Sequence, residues 1–215
     1  MAGGILPLTR DKALIFRIAH IDNLPWSLAN GIHCRSSGNF DPNYRNIGNL
    51  DLIAKRSTKR IPIAPGGPFD DYVPFYFTSR SPMLLNVKSG WGVPAIPMRE
   101  IIVFVTSLHR LTAEGIRFVF SDRHAYLATA RFSSDAGDLD RIDWAILANS
   151  NFKADPDDPG KKERYQAEAL IHQHLPMSAI AGIICHGPAE RMKVEQQVIQ
   201  EGHAIKVIDK PQYFF

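Results

Sequence analysis

The chain has 215 residues, 45% of them hydrophobic and 22% charged, with a formal net charge of +3. That length and composition suit one globular domain spanning residues 1–215, and 15 Pro with 15 Gly argue for short elements and turns over a helical bundle. Cys34 and Cys185 stand alone in no metal-binding spacing and suit a reducing cytoplasm. The N-terminus lacks a signal peptide's basic and apolar regions, and no run reaches the ~20 apolar residues that span a bilayer.

In chain order, Leu14 to His20 reads as a strand. Asp22 is placed to cap a short helix holding Leu24, Trp26 and Leu28, which Gly31 ends. Residues 34–48 are Gly-, Ser- and Asn-rich and read as a loop, followed by a short helix over 49–56 and a Pro/Gly turn region. Residues 72–77 read as a strand that Pro74 confines to a sheet edge or a strand start. Ile101 to Thr106 is a near-continuous apolar strand; Ser107 caps a helix running to Ala113. Further strands are expected over 116–120, 166–172, 180–185 and 204–208, with helices over 141–147 and 188–201 and a polar loop over 150–163. Short strands with interspersed helices make an α+β fold.

Four segments carry candidate chemistry. In Arg164-Tyr-Gln-Ala-Glu168-Ala, a carboxylate sits just inside an apolar strand between two small residues. Burying such a charge is costly without a partner, so Glu168 is either a group facing a cleft or a strand-end Glu paired with a surface Arg. His20 closes the first strand, where an imidazole can donate to and accept from a ligand ribose or simply satisfy the structure. Lys55, Arg56, Lys59 and Arg60 form a cluster able to hold phosphates or a carboxylate, with a solvated helix end as the plain alternative. The Tyr72–Phe77 aromatics offer a stacking surface, although Phe75 and Phe77 share one strand face and suit the core.

A rival arrangement is a metal site. If 168–174 is extended, Glu168, His172 and His174 share a face, which would suit a zinc-dependent hydrolase. Pro176 and the lack of a second His/Asp cluster weigh against it, and nucleotide-loop and hydrolase signatures are absent.

The segments taken together resemble the DarT toxins, a family of DNA ADP-ribosyltransferases. The likeness runs through Ile18-Ala-His-Ile-Asp-Asn-Leu-Pro, Asn46-Ile-Gly-Asn, the Lys55–Arg60 cluster, Ile63-Ala-Pro-Gly-Gly, Asp71-Tyr-Val-Pro-Phe-Tyr-Phe and Arg80-Ser-Pro-Met. It continues through Ser121-Asp-Arg-His-Ala-Tyr, Asp140-Arg-Ile-Asp-Trp, Asp155-Pro-Asp-Asp-Pro and Arg164-Tyr-Gln-Ala-Glu-Ala-Leu-Ile-His, nearly the whole chain in order.

The resemblance implies an ADP-ribosyltransferase fold with a split central sheet. It also implies transfer of ADP-ribose from NAD⁺, without a metal, to a base of single-stranded DNA, most often thymine. The partner it implies is a DarG-type macrodomain antitoxin, with no membrane involved. It makes Glu168 the catalytic carboxylate and Arg56, ahead of Arg60, the catalytic arginine. The NAD⁺ pocket it implies comprises Ala19, His20, Ile21, Asn23, Leu28, Arg56 and Tyr76. DNA contacts fall to Met83, Asn86, Lys153, Lys162, Arg164 and Tyr165, the last by base stacking. Transfer to guanine or RNA, a non-catalytic nucleic-acid-binding module and the metal hydrolase are the alternatives.

Overall fold

The computed structural model describes residues 7–215; the expectations for the chain's first six residues lie outside it. The elements are β1 (Leu14–His20), α1 (Leu24–Asn30), β2 (Ile32–His33), α2 (Leu50–Ser57), β3 (Tyr72–Tyr76) and α3 (Pro82–Ser89). β4 (Ile101–Ser107), α4 (Leu108–Ala113), β5 (Phe118–Ser121), β6 (Phe132–Ser133), α5 (Trp144–Asn149) and α6 (Lys161–Arg164) follow. β7 (Glu168–His172), β8 (His174–Leu175), β9 (Gly182–Cys185), α7 (Pro188–Gln200) and β10 (Lys206–Asp209) complete the chain.

One mixed sheet runs β10-β9-β4-β1-β3-β7-β5-β6, and β2 pairs with β8 in a small second sheet. β1 and β4 pair antiparallel along their whole length, from Leu14–Ser107 to His20–Ile101. β3 and β7 do the same from Tyr72–His172 to Tyr76–Glu168. Between these blocks β1 and β3 share one register pair, Phe16–Tyr76. The sheet is therefore two half-sheets hinged at one point and open beyond it.

That opening explains Pro74, which lies in the middle of an interior strand and not at the sheet edge or strand start its sequence implied. A residue's N–H and C=O point to the same side of a strand. The Pro74 carbonyl accepts from Arg17 Nη1 at 2.9 Å, across the gap toward β1. The amide that proline lacks would point into that gap, so no ladder bond is lost.

Local signals account for most of the remaining differences. His20, not Asp22, begins the turn before α1: its Nδ1 accepts the Asp22 amide at 3.1 Å. α3 is not among the expected elements, yet its ends are well marked. Ser81 accepts the Leu84 amide, Pro82 occupies the first turn, and Gly90 closes the helix at φ 77°. The core is continuous through β1, β4 and β9, with Ile15, Phe75, Phe77 and Ile101 fully buried.

Candidate active site

Glu168 opens β7 at the level where the half-sheets meet, and it is completely buried. The small flanking residues Ala167 and Ala169, also fully buried, leave space around its carboxylate. Its Oε2 accepts from Arg56 Nη2 at 2.6 Å. Its Oε1 accepts the Ala125 amide at 3.2 Å and lies 3.8 Å from His124 Nε2. The strand end is fastened as well: the Glu168 amide donates to Ser121 Oγ at 3.4 Å.

Arg56 arrives from the last turn of α2, with its guanidinium 4.8 Å above the Phe69 ring and 14% exposed. Burial works against its charge, and the neighbouring Glu168 carboxylate more than restores it, so Arg56 stays above the usual arginine value. Arg60 is exposed and, among the described residues, forms a backbone bridge to Pro68 and no ion pair, so the cluster contributes Arg56 to the acid. Lys59 donates its ammonium to the carbonyls of Tyr126 and Leu127 and lies 5.3 Å over the Tyr126 ring. It ties α2 to the loop that presents Ala125 and His124 to Glu168. Burial, and then the Arg56 charge, hold the Lys59 ammonium below its usual value.

Tyr76 stands beside Glu168 in register, with its hydroxyl 3.8 Å from Met83 Sδ. Burial, and next the Glu168 charge, push its phenol well above the usual value, so it remains neutral. Burial lowers His124, and Arg56 and Lys59 add to that against the pull of Glu168, so its imidazole is neutral near pH 7. His124 and Ala125 carry no role in the sequence reading, and Lys59 enters it only as a member of the cationic cluster. Ser-Asp-Arg-His-Ala-Tyr is among the resembling segments, but no local pattern reveals that its turn points at Glu168.

The other expected site residues are not gathered here. His20 lies at the far end of β1, four residues from the Phe16 hinge, and is 1% exposed. Its Nδ1 accepts from Asp22 N, so Nε2 carries the proton and donates to Glu100 Oε2 at 3.3 Å. A ribose hydroxyl reaches Nε2 only by displacing Glu100. Ala19, Asn23 and Leu28 are buried. Asn23 clamps Arg45 by two backbone hydrogen bonds of 3.0 and 2.8 Å, and the Leu28 carbonyl accepts from His203. The Leu28 side chain packs in the core. Ile21 is partly exposed and lines an open hollow of about 410 Å³ with Asp22, Arg99, Glu100 and Lys193.

On the DNA side, Tyr165 is corrected. It is fully buried, its ring lies 4.8 Å from Phe152, and its hydroxyl donates to Arg80 O, so no ring face is left for a base. Arg164 is held by Asp143 at 3.1 Å and Asp158 at 2.6 Å, which anchors the loop before β7. Lys153 and Lys162 are exposed, and Met83 and Asn86 sit half-buried on α3. The metal arrangement is not formed. Gln173 at φ 62° ends the alternation after β7, and His174 stacks on His33 at 4.2 Å in the second sheet. Four residues along one strand, at ~3.3 Å each, also separate His172 from Glu168 by about 13 Å.

Three comparisons bear on this geometry. A DNA ADP-ribosyl transferase of Escherichia coli O127:H6 (strain E2348/69 / EPEC) is 46% identical over 209 residues, covering 97% of this chain and 96% of that one. The structure of Thermus sp. 2.9 DarT in complex with ADP-ribosylated ssDNA superposes with a TM-score of 0.87 at 29% identity, over 95% of this chain and 97% of that one. The same protein in complex with NAD⁺ gives 0.79 at 28% identity, over 95% and 98%. With a family model matching residues 16–215, the chain belongs to the DarT family, described as ssDNA thymidine ADP-ribosyltransferases.

Proposed function

We propose that this protein transfers ADP-ribose from NAD⁺ to a thymine base of single-stranded DNA, with Glu168 as the catalytic carboxylate and Arg56 as its partner. The observation that carries the reading is the fully buried Glu168 carboxylate, paired with the largely buried Arg56 at the hinge of a split sheet, in a chain of this family. A buried pair costs about as much desolvation as it returns in attraction, so stability alone gives little reason to keep one.

Breaking the bond between nicotinamide and ribose C1′ builds positive charge on the sugar. The Glu168 carboxylate, oriented beforehand by Arg56 and the Ala125 amide, stabilises that charge without reorganising. A new bond then joins C1′ to the thymine ring as the base releases one proton. Glu168, with neutral His124 beside it, is placed to accept that proton. Arg56 favours the deprotonated base or the pyrophosphate, both negative. Neutral thymine is a poor nucleophile, so holding it against the sugar contributes much of the rate.

Tyr76 flanks the nicotinamide end. The hollow beside Ile21, with the Asp22 and Glu100 carboxylates as acceptors for ribose hydroxyls, suits the adenosine end, and His20 acts there through Glu100. Met83, Asn86, Lys153 and Lys162 guide the strand, and Arg164 holds the segment that carries Lys153 and Lys162 toward Glu168. A base must leave any duplex stack to reach this acid, which favours a single strand. As a toxin acting on DNA the protein works in the cytoplasm, opposed by a DarG-type macrodomain antitoxin. No helix among the described residues is long and apolar enough to cross a membrane.

Mass spectrometry of defined oligonucleotides incubated with NAD⁺ tests the reading. Thymine-containing strands gain one ADP-ribose with the wild-type protein and none with Glu168→Ala. Labelling of guanine-only strands or of RNA alone would redirect the substrate, and near-normal labelling by Glu168→Ala would overturn the assignment.

A further inference from the structure

Trp91 is 74% exposed, the largest exposed fraction among the large apolar side chains described, and Leu50 nearby is 65% exposed. An indole left in water forgoes the burial of some 150–250 Å². A floppy loop would explain that, but this turn is tightly fastened. Gly90 ends α3 in the left-handed region, and Ile96 N donates back to Val87 O at 3.0 Å. Asn49, whose Oδ1 caps α2 at Leu52 N, donates through Nδ2 to Gly92 O at 3.0 Å. The turn is thus anchored to both helices that flank the site, and the indole still points outward.

The route from Trp91 to the reacting centre is continuous. α3 begins at the Tyr76–Met83 contact, and Met83 and Asn86, three residues apart, share its face. Met83 also packs near Gly48, where a Cβ would lie 3.4 Å from Cε, which joins it to the start of α2. From Met83 to the end of α3 at Ser89 is about 9 Å of helix, and Trp91 lies two residues beyond it, a span suited to roughly three stacked bases at ~3.4 Å each. Lys55 on α2 and Lys88 on α3 are exposed and make no ion pair with any described residue, while Asp51 is the opposing charge on that edge.

Resting on the ADP-ribosyltransferase reading above, we infer that Trp91 is a stacking ledge for a base of the single-stranded substrate a few nucleotides from the modified thymine, with Lys55 and Lys88 beside its phosphates. Base–aromatic stacking tolerates any sequence, so the ledge contributes hold on the strand and not recognition of the target base. It accounts for a fixed, solvent-facing indole just beyond a helix whose first turn touches Tyr76, the register neighbour of Glu168.

The test uses the full-length protein and a thymine-containing oligonucleotide of about ten nucleotides. Of the three tryptophans, Trp91 is the one more than half exposed, so oligonucleotide binding quenches intrinsic fluorescence, and Trp91→Phe removes most of that change. Trp91→Ala raises KM for the oligonucleotide about tenfold, Trp91→Phe recovers most of the loss, and KM for NAD⁺ moves far less. An unchanged oligonucleotide KM in Trp91→Ala, equal changes in both KM values, or quenching that survives Trp91→Phe overturns the ledge. A wild-type protein that quenches on binding but transfers nothing refutes the enzymatic reading and leaves the ledge standing.

Discussion

The half-sheet that ends at β1 and the one that begins at β3 are built by the same antiparallel pairing, yet they use polarity differently. In the first, Arg17 satisfies the Pro74 carbonyl across the gap and His20 bridges the Asp22 amide and the Glu100 carboxylate. In the second, a wholly buried carboxylate is surrounded by a guanidinium, an amide and an imidazole. Packing alone asks for nothing like this, since apolar side chains of similar volume stabilise a core at least as well. The contrast teaches that the first half keeps its polar groups at the margins of the sheet, while the second encloses a charge that packing does not require.

Removing the charge pair gives the largest expected effect. Arg56→Met leaves Glu168 buried without its cation, a loss of about 3–5 kcal/mol seen as a lower denaturant midpoint, and DNA labelling vanishes. Arg56→Met with Glu168→Met regains most of that stability and none of the labelling. A double variant as unstable as the single one would make the pair a structural feature and erase the contrast between the halves.

A smaller effect is expected at Lys59. Lys59→Met frees the loop carrying Ala125 and His124, and kcat falls ten- to a hundredfold, as displacements near 1 Å can do, with little change in either KM. Lys59→Arg, able to reach the same carbonyls, recovers part of it. A loss confined to KM would show that Lys59 binds substrate instead of positioning the loop.

The smallest is a pH effect. His124 in the folded protein titrates below its usual 6.5, so as pH falls below 6.5 the unfolded chain takes up this proton first, and folding stability declines until the folded value is passed. Once protonated, His124 competes with Arg56 for Glu168, so labelling falls on the acid side. In His124→Gln that acid limb is weaker when rates are followed from about one unit above the usual histidine value to about 1.5 units below it. An identical limb in both proteins would assign it to another group.

Elements with strong local signals are legible in the amino-acid order. β1 and β4 are long and apolar, and Ser107 caps α4 as its type and place suggest. α3 is harder to see because the aromatic run before it carries the stronger strand signal, although Ser81, Pro82 and Gly90 spell out both helix ends. Tyr165 looks like a DNA contact because it follows Lys161, Lys162 and Arg164, whereas it caps the end of α6 and turns its ring inward onto Phe152. Glu168 stands out as a carboxylate inside an apolar strand, and its arginine is named through the family resemblance, not the charge pattern.

By itself, then, the amino-acid order determined the strands and helices with clear periodicity and caps, the family, and the acid on which the chemistry is proposed to turn. Those features depend on neighbours within a few residues, or on a pattern kept along the whole chain. Tertiary structure decided that Pro74 could sit mid-sheet, that Arg56 and not Arg60 meets Glu168 across 112 residues, and that His124 and Lys59 complete its surroundings. Such pairings depend on which side chains lose their water together when the half-sheets pack, and no local stretch of sequence encodes that.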